Sequence, residues 1–236
     1  MEPIHIRAKP GSVAERVLIA GDPKRVKKLS TLLTNPETVN ENRGFLVVTG
    51  SYNGMRVSIA THGIGAPSAA IVVEELAMLG ARTFVRYGTS GALSPNIQLG
   101  EFVIPTSASH IPGGLYKQYF GGRKGIKARP DKELAGRIRK TFRGRGLKFN
   151  TGKIFSSDAF YAEEQEFAKK YFAKGNIAVE MECAMLFKLS MMKGWRSAAA
   201  LIISDSLAGG VKWLSPEAID AKAMEGAAAV LDALTK

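Results

Sequence analysis

Two carboxylates, Glu180 and Glu182, sit inside an otherwise apolar stretch that runs from Ile177 through Cys183, Ala184, Met185, Leu186 and Phe187. An ionised carboxylate is costly to bury unless it meets a partner. A ligand rich in hydroxyls, such as a ribose, is one such partner. A buried ion pair, or the positive end of a helix, is another. Arginine comes from three separate segments. Gly21-Asp22-Pro23-Lys24-Arg25 places backbone N–H groups and Arg25 at the start of a helix, a favourable place for an anion. Arg86-Tyr87-Gly88-Thr89-Ser90-Gly91 adds a second arginine and a glycine-flanked pair of hydroxyls, and Asn40-Glu41-Asn42-Arg43-Gly44 a third arginine. Guanidinium forks suit phosphate oxygens, so three that converged would make a phosphate site, whereas each alone is more often a surface charge.

Ser204-Asp205 follows the apolar run Ala198-Ala199-Ala200-Leu201-Ile202-Ile203. Ligands of α/β sheets collect beyond the carboxyl ends of strands, so Asp205 stands where an acid–base group would serve; a helix cap or a turn aspartate is the plainer reading. His5, His62 and His110 are scattered without metal-ligand spacing, no Gly-x-Ser-x-Gly elbow occurs, and no metal site is expected.

The elements that would carry these residues alternate. Val17 to Ala20 reads as a buried strand, Lys24 to Leu33 as a helix, and Phe45–Ser51 with Arg56–Thr61 as a hairpin turning at Asn53-Gly54. A helix from Ser68 to Leu79 stops at Gly80, and the strand Thr83 to Tyr87 leads into a Gly88–Gly91 loop. Beyond the strand Glu101–Thr106, residues 111–129 read as an irregular excursion. A basic helix, a strand at Lys153–Ser156, helices at Glu163–Phe172 and around Glu182, the strand Ala198–Ile203 and a helix over Pro216–Leu234 follow. No repeat or Pro/Ser-rich linker interrupts residues 1–236. The pattern predicts one α/β domain, a mixed central β-sheet flanked by helices.

Composition narrows the class. With 45% hydrophobic residues and no run near the roughly 20 apolar residues of a membrane span, a compact chain without membrane association is expected. A polar start, Met1-Glu2-Pro3-Ile4-His5, lacks a signal-peptide pattern, and the single cysteine, Cys183, points to a cytoplasmic protein without disulfides. Part of the net charge of +12 lies between Arg123 and Lys148, where Lys132, Arg137, Arg139, Lys140, Arg143 and Arg145 crowd one helix. Few aromatics interleave with them, so a solvated helix face is favoured over a nucleic-acid surface.

Taken in order, Gly21-Asp22-Pro23-Lys24-Arg25, Arg43-Gly44, His62-Gly63-Ile64-Gly65, Arg86-Tyr87-Gly88-Thr89-Ser90-Gly91, Val179-Glu180-Met181-Glu182 and Ser204-Asp205 resemble the motifs of the purine nucleoside and uridine phosphorylase family. Asn40–Phe45, Ser156–Glu163 and Val179–Ala184 look most like its archaeal 5′-methylthioadenosine phosphorylases. The resemblance implies phosphate-dependent cleavage of the glycosidic bond of purine nucleosides, with phosphate as co-substrate and no cofactor. Carried over residue by residue, it implies that Gly21, Arg25, Arg86 and Thr89 hold phosphate with Arg43 of a neighbouring subunit. Glu182 would accept from the ribose hydroxyls, Met181 would pack under the sugar, and a neighbour's His5 would approach the 5′ position. Phe160, Glu180, Ser204 and Asp205 would meet the base, with Asp205 as the general acid toward purine N7. The family's hexameric branch implies a homohexamer, a trimer of dimers.

Bacterial hexameric members assist this aspartate with a downstream arginine; none follows Asp205 here, which leaves Lys212 as a substitute or a simpler hydrogen-bond role for Asp205. Uridine phosphorylase is disfavoured because the positions of its uracil-binding glutamine and arginine hold Glu164 and Glu166. A hydrolytic nucleosidase would lack the arginine set, and a nucleic-acid-binding protein, the reading from another class, would rest on residues 123–148 alone.

Overall fold

The structure, a computed structural model, describes residues 2–121, 127–163, 165–208 and 211–236. Within these residues ten strands form one mixed sheet: β1 (Arg16–Ala20), β2 (Thr34–Asn40), β3 (Val47–Tyr52), β4 (Met55–Thr61), β5 (Thr83–Ala92), β6 (Phe102–His110), β7 (Phe149–Ser156), β8 (Asn176–Glu180), β9 (Arg196–Ser206) and β10 (Lys212–Trp213). Their order is β10-β9-β6-β7-β8-β5-β1-β4-β3-β2, and β9 also pairs with β5. That second pairing closes β5, β9, β6, β7 and β8 into a ring, a closure the alternating pattern did not foretell. β1, β4, β5 and β9 run parallel, so their carboxyl ends share one side.

Among the described residues, seven α-helices cover the sheet: α1 (Pro23–Ser30), α2 (Ala66–Met78), α3 (Gly114–Phe120), α4 (Lys132–Gly144), α5 (Gln165–Ala173), α6 (Cys183–Lys193) and α7 (Pro216–Leu234). The side-chain period of two in a strand divides the core cleanly. Along β9, Ala199, Leu201 and Ile203 pack with α2 and α6, while Ala198, Ala200 and Ile202 face α4 and α7. α4 buries Leu134, Ala135, Ile138 and Phe142 and turns its cations outward, with Arg137 on Glu133 and Arg145 on Asp232. Arg123 of the basic stretch lies outside the described residues. No helix among those described is long and apolar enough to cross a membrane.

Several expected boundaries moved, each for a local reason. α1, capped by Asp22 and begun by Pro23, ends at Ser30 rather than Leu33, because Leu32 and Leu33 donate three residues back and tighten the last turn. β2 was not foreseen: Thr-Asn-Pro-Glu-Thr-Val-Asn is largely exposed, and its proline is tolerable on an edge strand. Gly88 to Gly91 is no loop; β5 runs through it because β9 pairs with it along nearly its whole length. Ser204-Asp205 likewise belongs to β9 itself. The lead into Glu182 is the short strand β8, an apolar run that periodicity cannot tell from a buried helix. Within 111–129, α3 occupies Gly114–Phe120.

Gly226 shows how closely α7 lies on the sheet. A Cβ there would stand 2.6 Å from Phe102 Cε1 and run into the Tyr87 hydroxyl. Alanine would gain about 1 kcal/mol in helix propensity, yet overpacking costs roughly 1–3 kcal/mol, so Gly226→Ala is expected to lower the urea midpoint. A raised midpoint would mean that the α7 contact is loose.

Candidate functional site

At the carboxyl ends of β1, β4, β5, β8 and β9 opens a cavity of about 720 Å³. Gly21 and Arg25 reach it from the β1–α1 junction, His62 from the end of β4, Arg86, Gly88, Thr89 and Gly91 from β5, Glu180, Met181 and Glu182 from the β8–α6 junction, and Ser204 and Asp205 from β9. Phe160 and Tyr161, on a short 3-10 turn, stand at its mouth with Trp213. Convergence, which the sequence could not show, is therefore present for Gly21, Arg25, Arg86, Thr89, Phe160, Glu180, Met181, Glu182, Ser204 and Asp205.

Charge at the floor is arranged around Arg86, whose side chain is 6% exposed. Its Nε donates to Glu180 Oε2 at 3.0 Å, and Nη2 lies 2.5 Å from Glu182 Oε2. Burial works against this guanidinium's charge, but Glu182 and Glu180 outweigh it and raise its pKa above the ordinary arginine value. The guanidinium folds back over residue 88, where a Cβ would press into it, so β5 carries glycine there. Glu180 is saturated by the protein: besides Arg86 it accepts from the backbone N–H groups of Glu182 (2.8 Å) and Cys183 (2.9 Å) and from the Ser156 hydroxyl (2.5 Å). It thus caps α6 and orients Arg86, the ion-pair alternative left open by the sequence, although its backbone neighbours put it in the cavity wall. Glu182 accepts from Gly65 N at 2.7 Å, at the start of α2.

Arg25 differs from Arg86. Among the described residues its buried Nε has no hydrogen-bond partner, so it is a free donor beside the cavity. His62, fully buried, stands 3.5 Å from Arg86 Nη1; burial and then the arginine charge lower its pKa to about 3, which keeps it neutral. Histidine spacing alone did not mark His62 out from His5 and His110, which are only partly buried.

At the other end of the cavity Asp205 is buried, and burial raises its pKa, with the Ser204 hydroxyl at 2.7 Å opposing the rise. Its aim depends on a bulge. Ser90 pairs with Ile203 but Gly91 pairs with Asp205, which leaves Ser204 as one extra residue in β9. A Cβ on Gly91 would stand 2.6 Å from Asp205 Oδ2, so only glycine leaves the carboxyl this place. Glu163, which sequence reasoning passed over, also lines the cavity. Burial pushes its carboxyl up to about 7, a Ser157 hydrogen bond opposes this, and Asp205 and Glu180 add to the rise. Two carboxyl groups biased toward the protonated form therefore share one end of the cavity, while arginines hold the other.

Three expected residues lie elsewhere. His5 Nδ1 is 2.7 Å from Glu75 Oε1, and Arg43 occupies an exposed turn at a φ of 56°; neither lines the cavity of its own chain. Asn42 Nδ2 donates to the His5 carbonyl at 2.9 Å, so the two share one patch of surface with the exposed Ile4. Lys212 pairs with Ser206, one residue away from the Trp213–Asp205 pair, and so projects to the opposite face from Asp205. It does not replace the missing arginine. Glu164 lies outside the described residues, and Glu166 forms an exposed pair with Lys169.

Residues 15–236 match the family model described as the phosphorylase superfamily. The chain is 35% identical over 206 residues to a guanosine phosphorylase of Halorubrum lacusprofundi, covering 87% of this chain and 84% of that one. It is 37% identical to a DeoD-type purine nucleoside phosphorylase of Clostridium perfringens, over 86% of this chain and 87% of the relative. A DeoD-type purine nucleoside phosphorylase of Geobacillus kaustophilus is 35% identical across 91% of this chain and 90% of its own length. With cavity, fold and likeness in agreement over nearly the whole chain, the protein belongs to the phosphorylase superfamily, on its purine nucleoside phosphorylase branch.

Proposed function

We propose that the protein cleaves the N-glycosidic bond of purine nucleosides with inorganic phosphate, releasing the free base and a ribose 1-phosphate. The observation that carries this reading is the polarity of the cavity, with Arg25 and Arg86 at one end and the protonation-prone Asp205 at the other. Guanosine is a favoured substrate by likeness to a relative named as a guanosine phosphorylase, and inosine, adenosine and 5′-methylthioadenosine by the motif resemblance.

In this reading phosphate lies against Gly21, Thr89, Arg86 and the free Nε of Arg25, which fix its oxygens by charge-assisted hydrogen bonds. Glu182 accepts from the ribose 2′- and 3′-hydroxyls and sets the anomeric carbon in line, so that positioning supplies much of the acceleration. A phosphate oxygen forms the bond to C1′ as the C1′–N9 bond breaks, and that electron pair moves into the purine. Asp205 donates its proton to N7, which leaves the base neutral. Met181 packs beneath the sugar and Phe160 beside the base. His5 and Arg43 complete the site from a neighbouring subunit, within a cytoplasmic homohexamer built as a trimer of dimers. No metal or organic cofactor takes part, and nucleic acid and membrane are not partners.

Base release from inosine and from 5′-methylthioadenosine, each with and without phosphate, tests the reading. Release is expected only with phosphate, and release that ignores phosphate would replace it with hydrolysis. Asp205→Asn is expected to lower kcat on inosine by roughly 10²-fold or more, in keeping with loss of a general acid, with little change in the KM for phosphate. An unchanged kcat would remove Asp205 from the proton transfer.

Glu163 gives the pH dependence a sign. Its folded value of about 7 lies above the ordinary 4.5, so between these limits the folded chain holds a proton that the unfolded chain has lost. Its stabilising contribution is thus full below the unfolded value and is lost as pH rises toward about 7. Urea midpoints of the parent chain are expected to fall over that window relative to those of Glu163→Gln. Parallel profiles for the two proteins would refute the assignment.

A further inference from the structure

The base end of the cavity has one wall still to be assigned. β10 consists of two residues, and its register sets Trp213 against Asp205 and Lys212 against Ser206. Residues directly opposed in an antiparallel pair project to the same face, so the indole shares Asp205's side of the sheet. Both residues line the cavity. Leu214 N donates to Ser204 O at 2.7 Å, which ties β10 to the bulge that aims Asp205. The place of the indole is therefore set relative to the proton donor by main-chain bonds.

Trp213 is 59% exposed, and no aromatic partner for it exists among the described residues. The other tryptophan, Trp195, packs on Phe84 with ring centroids 5.7 Å apart. An indole left on a cavity wall offers a large flat surface, and a flat heteroaromatic ring is the ligand fragment that covers such a surface best. The phosphate and sugar ends are held by Arg25, Arg86 and Glu182 from other strands, so the fragment that reaches β10 is the base.

We propose that Trp213 is the aromatic wall against which the purine ring seats. This inference rests on the phosphorylase reading above. The experiment uses the Trp195→Phe chain, in which Trp213 is the one tryptophan. Its emission is titrated with hypoxanthine and, separately, with inorganic phosphate. A saturable change with hypoxanthine at the concentration that inhibits turnover, and none with phosphate alone, is expected. In parallel, Trp213→Ala is expected to raise the KM for inosine by about tenfold, the effect of losing one stacked ring, without changing the KM for phosphate. Trp213→Phe should restore most of the loss. Emission that stays constant while hypoxanthine inhibits would overturn the proposal, as would a Trp213→Ala chain with unchanged KM or with both KM values raised alike. Absence of phosphate-dependent turnover in the unaltered chain would instead undo the phosphorylase reading, which keeps the two failures distinct.

Discussion

A guanidinium with almost no access to water has to be neutralised from within the protein, and Arg86 imposes that demand on everything around it. Removing one partner of a buried ion pair costs roughly 3–5 kcal/mol, so Glu180 and Glu182 are held in place as firmly as any core residue. Their positions in turn dictate the β8–α6 junction. Glu180 ends the strand, takes up the first N–H groups of the helix and leaves Glu182 facing the cavity. The glycine at residue 88 follows from the same arginine, because the guanidinium lies where a side chain would otherwise be. Fold and site are thus not separable here: the charge that would meet phosphate also fastens the start of α6.

Much of the site was legible in the sequence because its residues sit in short stretches with distinctive composition. Gly21, Asp22, Pro23 and Arg25, the glycine-flanked hydroxyls after Arg86 and the paired glutamates all lie on the cavity. What composition could not supply was pairing. The strand nature of Gly88 to Gly91 depends on β9, more than a hundred residues away, and the closure of the sheet is invisible to local periodicity. Glu163 was missed because a glutamate beside other glutamates before a helix reads as a surface charge; only burial against Ser157 and Asp205 distinguishes it. Lys212 pairs one register position away from Asp205, which in a strand is the difference between two faces.

The extra residue at Ser204 divides β9 in two. Upstream of it, β9 is a fully buried strand whose side chains alternate strictly between two cores. Downstream, the same strand presents Asp205 to the cavity at a phase reset by the bulge. Residue 204 is therefore the place where a strand packed on both faces hands over to one that offers a carboxyl to the cavity.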